Sequence, residues 1–83
     1  MIYIYSRDSC SPCTVLKRWL DGLGEKYQVL DVDAPEHLRK LLELTNQLVV
    51  PTTVVGDRVI QGLNIGLVKQ ALAEMNSTQT VEG

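Results

Sequence analysis

No stretch of this 83-residue chain approaches the roughly 18 consecutive apolar residues that a membrane-spanning helix needs, so no membrane span is expected. The start, Met1-Ile2-Tyr3-Ile4-Tyr5, has no basic leader ahead of a long apolar run, and a soluble, cytoplasmic protein is the expectation. Positive charge is not in excess either: eight Lys and Arg against ten Asp and Glu give a net charge of −2. Without a basic field, nucleic acid is excluded as a natural partner. There is no internal repeat, no linker and no room for a second domain. A chain this short buries only about 60% of the surface it exposes when unfolded, so one modest core must hold it. Cysteine is limited to two residues and histidine to one.

The two cysteines, Cys10 and Cys13, are separated only by Ser11 and Pro12. In a reducing compartment such a close pair is more often catalytic or metal-binding than structural. A disulfide closing so short a loop would also remove little entropy from the unfolded chain. The pair lies between a strand-like start and a helix-like run, with Ser11 where an N-cap would sit and Pro12 where the first helical residue would. A helix beginning there directs backbone N–H groups and the positive end of its dipole at the first sulfur, favouring thiolate, the nucleophile of disulfide exchange.

The hydrophobic period switches repeatedly between strand and helix. Ile2–Tyr5 reads as a buried strand, and Val15, Leu16, Trp19, Leu20 and Leu23 as one apolar stripe on a helix closed by Gly22 and Gly24. Lys26–Val32 reads as a second strand. Asp33, Ala34 and Pro35 mark a helix start, with Asp33 as its N-cap and Leu38, Leu41, Leu42 and Leu44 as its buried face. Val49–Val55 and Arg58–Ile60 flank Gly56-Asp57, the signal of a tight hairpin. Ile65, Val68, Ala71, Leu72 and Met75 give a last helix opened by Gly62 and Asn64. A domain over residues 1–75 and a polar, frayed tail over 76–83 are expected. The order β-α-β-α-β-β-α predicts an α/β fold with a four-stranded mixed sheet and helices on both faces.

At the level of motifs, Tyr5-Ser6-Arg7-Asp8-Ser9-Cys10-Ser11-Pro12-Cys13 resembles the glutaredoxin strand end with its basic residue and Cys-x-x-Cys. Thr45-Asn46-Gln47-Leu48-Val49-Val50-Pro51 is similar to that family's Thr-Gly-Gln-x-Thr-Val-Pro, and Ile60-Gln61-Gly62-Leu63-Asn64 stands where it has Ile-Gly-Gly and an acidic pair. Together these motifs resemble the glutaredoxin branch of the thioredoxin superfold. The resemblance implies a thiol–disulfide oxidoreductase in which Cys10 attacks and Cys13 resolves the mixed disulfide. It implies that Pro51 is a cis-proline and that Val50 offers its main chain to the substrate. Arg7 would lower the thiol pKa or meet a carboxylate of glutathione, Gln47 would contact glutathione, and Asn64 would stand at a helix N-terminus able to bind a carboxylate. The implied partners are disulfide-containing proteins, with glutathione or thioredoxin reductase as electron source, acting on a monomer with no prosthetic group and no metal.

Two departures sharpen the reading. Asn64 and Ile65 replace the acidic pair that would hold glutathione's ammonium group, and Ser11-Pro12 places proline before the second cysteine, as thioredoxin does. The alternative within the same chemistry is a thioredoxin-reductase-coupled hydrogen donor for ribonucleotide reductase, for which Gly62-Leu63 after the hairpin is suggestive. Trp19 is read as a core residue, and Tyr5 either as leaning over the disulfide or as a buried strand aromatic. From another class, a metal or iron–sulfur module would have only Cys10, Cys13 and His37 as soft or borderline ligands, whereas a structural zinc site takes four. An adaptor with an idle dithiol is the remaining reading.

Overall fold

The computed structural model describes residues 1–82, with side-chain surroundings for residues 1–75. Strand β1 (Ile2–Ser6) leads into helix α1 (Ser11–Leu23), followed by β2 (Gln28–Asp31), α2 (Pro35–Thr45), β3 (Thr52–Val55), β4 (Arg58–Gln61) and α3 (Ile65–Glu82). The sheet order is β2-β1-β3-β4. The helical crossover makes β1 and β2 parallel, and β3 runs antiparallel to both β1 and β4, as the order of elements predicts. The chain has the expected thioredoxin-like, glutaredoxin-type architecture.

Alternation along the strands divides the core between the two faces of the sheet. Ile2, Ile4, Val55 and Ile60 pack with Leu16 and Leu20 of α1 and with Val68, Ala71 and Leu72 of α3. Tyr5 faces the other way and joins Val32, just past β2, and Leu41 of α2 in a smaller cluster, with Leu30, Val50 and Val54 against it. Tyr5 and Trp19 therefore belong to the core, Trp19 at its edge.

Several boundaries and burial patterns differ from the sequence expectation. Within the stripe on α1, Leu16 and Leu20 are fully buried, but Val15 and Leu23 are half exposed. A helix resting on a sheet this narrow buries only its central ridge. For the same reason α2 buries Leu41 while Leu42 and Leu44 stay exposed. Gly24, at φ +74°, closes α1 in the left-handed conformation that glycine adopts without penalty, whereas Gly22 lies inside the helix. Strand β2 is shorter than Lys26–Val32, although Val32 N–H still donates to Ser6 O (2.9 Å). Pro51 delays β3 to Thr52, because proline cannot donate to a strand ladder. Finally, α3 continues to Glu82 through the stretch expected to be a frayed tail. No glycine or proline interrupts 76–82, and extending a nucleated helix adds one hydrogen bond per residue fixed. Gly83 lies outside the described residues.

Leu20→Ala is expected to cost about 2–5 kcal/mol in urea unfolding, and Leu23→Ala, on the same stripe but exposed, under about 1 kcal/mol. Equal losses would contradict the burial pattern. Burial, with a smaller contribution from Tyr3, raises the Tyr5 phenol above its ordinary value. A raised folded-state value stabilises the protein below the unfolded value of about 10, and that stabilisation is lost as pH rises through the folded value. Unfolding measured across pH 8–11.5 should therefore show stability falling above about 10, and Tyr5→Phe should flatten that fall.

Candidate functional site

The site begins with the way the chain starts α1. Cys10 is extended (φ −93°, ψ 106°) and occupies the N-cap, and its Sγ accepts the Cys13 N–H at 3.1 Å. The expected N-cap, Ser11, is instead the first helical residue, and Pro12 is the second. The sulfur thus takes the place that a serine or aspartate oxygen usually fills. Cys10 N–H donates to Arg7 O (3.1 Å) and Thr14 N–H to Cys10 O (3.2 Å), so the backbone on both sides of the sulfur is tied down. Proline at 12 contributes no N–H, which leaves fewer donors competing for the same acceptor.

Cys10 and Cys13 are joined as a disulfide with a Cα–Cα distance of 5.2 Å. Cys10 is partly exposed and Cys13 fully buried. Only one sulfur of the pair is open to a substrate. A helix N-terminus and a donated N–H both favour an anion at that sulfur once the bond is reduced.

Sheet register gathers the other segments at the same end of the molecule. Ser6 pairs with Asp31, Tyr5 with Thr52, and Thr52 with Gln61. The turn holding Arg7 and Cys10, the loop after β2, the loop before β3 and the loop after β4 therefore all leave the sheet at one edge. The Val50–Pro51 peptide is cis. Pro51 is buried, and its carbonyl accepts the Gly62 N–H at 2.7 Å. Thr52 Oγ1 donates to Val49 O (2.6 Å), fixing the loop from its other side. Gly62 sits at φ +79°, a conformation strained for any residue with a Cβ.

The three side chains expected around the dithiol each have a partner within the chain. Arg7 Nε lies 3.2 Å from Asp33 Oδ1, an ion pair whose members are 40% and 60% exposed. The contact lacks hydrogen-bond alignment, and Arg7 Nε is itself buried without a hydrogen-bond partner. Gln47 Oε1 accepts from Gln61 Nε2 at 3.1 Å. Asn64 caps α3: its Oδ1 accepts the Leu67 N–H and its carbonyl the Val68 N–H, both at 3.1 Å.

Asp33 does not cap α2 as expected. The N-cap is Ala34, with no side-chain bond, and Asp33 N–H instead donates to Asp31 Oδ1 (2.9 Å). That turn frees the Asp33 carboxylate for Arg7. Asp33 as an ion-pair partner and Gln61 were both missed from sequence. The available signal was positional: a residue just past β2 must neighbour a residue just past its parallel partner β1. His37, considered as a metal ligand, places Nδ1 3.1 Å from Asp31 O. Among the described residues no three His, Cys, Asp or Glu side chains converge on one point, and no helix is long and apolar enough to cross a membrane.

Comparison with known proteins agrees with this geometry. The glutaredoxin family model matches residues 2–60. A glutaredoxin of Ricinus communis is 30% identical over 99% of this chain and 84% of its own. The crystal structure of the thioredoxin-like protein BC3987 superposes with a TM-score of 0.80, at 26% identity over 86% of this chain and 99% of its own. The glutaredoxin-like NrdH-redoxin of Escherichia coli shares the fold, with a TM-score of 0.72 at 23% identity over 83% of this chain and 91% of its own.

Asn64→Ala removes the cap of α3 and is expected to cost about 0.5–2 kcal/mol in chemical denaturation, while Asn64→Asp keeps the acceptor and most of the stability. If both variants unfold like the parent, Asn64 is not the cap.

Proposed function

The chain belongs to the glutaredoxin family, thiol–disulfide oxidoreductases with a redox-active cysteine pair, and from that premise we propose that it reduces protein or glutathione mixed disulfides through Cys10 and Cys13. The observation that carries the reading is the partly exposed Cys10 sulfur at the N-cap of α1, bonded to a buried Cys13. Once the pair is reduced, the Cys10 thiolate attacks one sulfur of a substrate disulfide. A Cys10–substrate disulfide forms with the attacked sulfur, and the other substrate sulfur is the first to leave, as thiolate. Cys13, as thiolate, then attacks Cys10 Sγ, which restores the Cys10–Cys13 bond and releases the second substrate sulfur. Two electrons pass from the protein to the substrate, and solvent protons neutralise the thiolates formed.

On this reading the main chain at Val50, ahead of cis-Pro51, pairs with an extended substrate segment. Arg7, Gln47 and Asn64 face the rest of the ligand. The protein works as a monomer in the reducing environment of the cytoplasm, where a close dithiol is kept for chemistry.

A second reading changes only the electron source, and two observations favour it. Arg7, Gln47 and Asn64 are already engaged by Asp33, Gln61 and the start of α3, and Asn64-Ile65 supplies no acidic partner for an ammonium group. In addition, proline before Cys13 is the thioredoxin arrangement. Thioredoxin stands near −270 mV and glutaredoxins at about −200 to −230 mV, and a gap of about 50 mV is roughly 2 kcal/mol, enough to change which reductant recharges the pair. Under this reading the protein is a thioredoxin-reductase-coupled hydrogen donor, with ribonucleotide reductase as its acceptor.

Cys10→Ser is expected to abolish disulfide reduction, and Cys13→Ser to accumulate a mixed disulfide visible by intact mass. Iodoacetamide reacting with Cys10 no faster, at any pH, than with a model peptide would contradict the first step. Recharging the oxidised protein with glutathione plus glutathione reductase, in parallel with NADPH plus thioredoxin reductase, separates the two readings. Turnover with the second system alone removes glutathione as the donor.

A further inference from the structure

We infer that Asp33 is a specificity-determining residue: by pairing with Arg7 it biases the dithiol site against anionic disulfides and toward neutral or cationic ones. The inference rests on the oxidoreductase reading above and adds a substrate preference to it.

Arg7 is the one cation in the segment between β1 and the dithiol, and its carbonyl receives the Cys10 N–H. A substrate carrying a negative charge near its disulfide would find its counter-charge there. That charge is already compensated. The parallel register of Ser6 with Asp31 carries the chain past β2 to the same edge of the sheet, and Asp33 Oδ1 comes within 3.2 Å of Arg7 Nε.

The Asp33 carboxylate is held in that position by its own backbone. Asp31 Oδ1 takes the Asp33 N–H, Asp31 O takes the Ala34 N–H at 3.1 Å, and α2 begins at Pro35. The carboxylate is not spent on capping the helix, the role its position before a Pro-initiated helix suggests. Nor does it complete an aligned hydrogen bond to Nε. What remains is charge placed beside charge. Two further carboxylates stand close by: Asp8 follows Arg7 directly in the chain, and Asp31, at the end of β2, pairs with Ser6 just ahead of Arg7. An incoming anion must displace Asp33 from Arg7 or accept repulsion from it.

Both partners are partly exposed, so the effect is modest and sensitive to salt. An exposed pair of this kind corresponds to a factor of about two to five in rate or affinity.

The test uses the pre-reduced full chain in single-turnover mixing, which needs no reductase. Second-order rate constants are compared for three small disulfides of one chemistry: dianionic 3,3′-dithiodipropionate, neutral 2-hydroxyethyl disulfide and dicationic cystamine. In Asp33→Asn the dianion-to-neutral rate ratio is expected to rise about two- to fivefold at low salt, and the cystamine-to-neutral ratio to fall. Asp33→Glu should restore the parent ranking, and about 1 M salt should compress all the ratios toward one another. A change in the acidity of Cys10 or in packing would move the three rates together and leave the ratios alone. An unchanged ratio in Asp33→Asn overturns the proposal. So does a fall for the dianion, which would mean that Asp33 orients Arg7 for anions. If the parent protein consumes none of the three disulfides, the oxidoreductase reading itself fails, a result distinct from unchanged ratios.

Discussion

A single acceptor at the start of α1 sets the chemistry of this molecule: the sulfur of Cys10, where a helix ordinarily places a serine or aspartate oxygen. Because the N-cap side chain must face the first-turn N–H groups, this sulfur is held 3.1 Å from the Cys13 N–H. The same constraint puts the second sulfur three residues along, inside the helix and out of solvent. Ordering the two sulfurs along one helical turn separates them into an accessible and a protected member. Leu16 and Leu20, fully buried one and two turns further on, fix that turn against the sheet. The core of the fold and the aim of the sulfur thus depend on the same helix.

The rest of the site follows from strand register more than from proximity in sequence. A parallel neighbour on one side of β1 and an antiparallel one on the other bring the ends of four connections to one sheet edge. A one-residue slip of β3 would turn Thr52 and Val54 to the other face and exchange the two core clusters, so packing enforces the register. The Pro51 carbonyl then closes onto Gly62 and joins the loop before β3 to the loop after β4.

Much of this was legible in the sequence because it depends on local period and spacing. The Cys-x-x-Cys, the buried strand at Ile2–Tyr5, the Gly56-Asp57 hairpin and the order of elements were all readable, and they suffice for the architecture. What could not be read depends on pairing at a distance or on which of two adjacent residues faces inward. Ser11 is a better cap than cysteine by general preference, so the helix start was placed one residue late. Asp33 before Ala34-Pro35 looks like a cap, and only the parallel pairing of β1 with β2 reveals Arg7 as its partner. Val15 and Leu23 satisfy helical periodicity yet stay exposed, since periodicity identifies a face without measuring how much of it the sheet can cover. The continuation of α3 to Glu82 was missed because the residues after Met75 carry no apolar pattern, although nothing among them stops a helix.

The same geometry weighs between the classes of function that a close cysteine pair leaves open. A structural zinc site takes four ligands, and a close cysteine pair supplies at most two of them. Cys13 is fully buried, and among the described residues no three His, Cys, Asp or Glu side chains converge on one point. Disulfide exchange asks for less. The outer sulfur must be open to attack on one side and within reach of the inner sulfur on the other, and a helix N-cap followed by a buried third residue meets both demands without movement of the fold. The proposed exchange uses that asymmetry, with one sulfur reacting outward first and inward second.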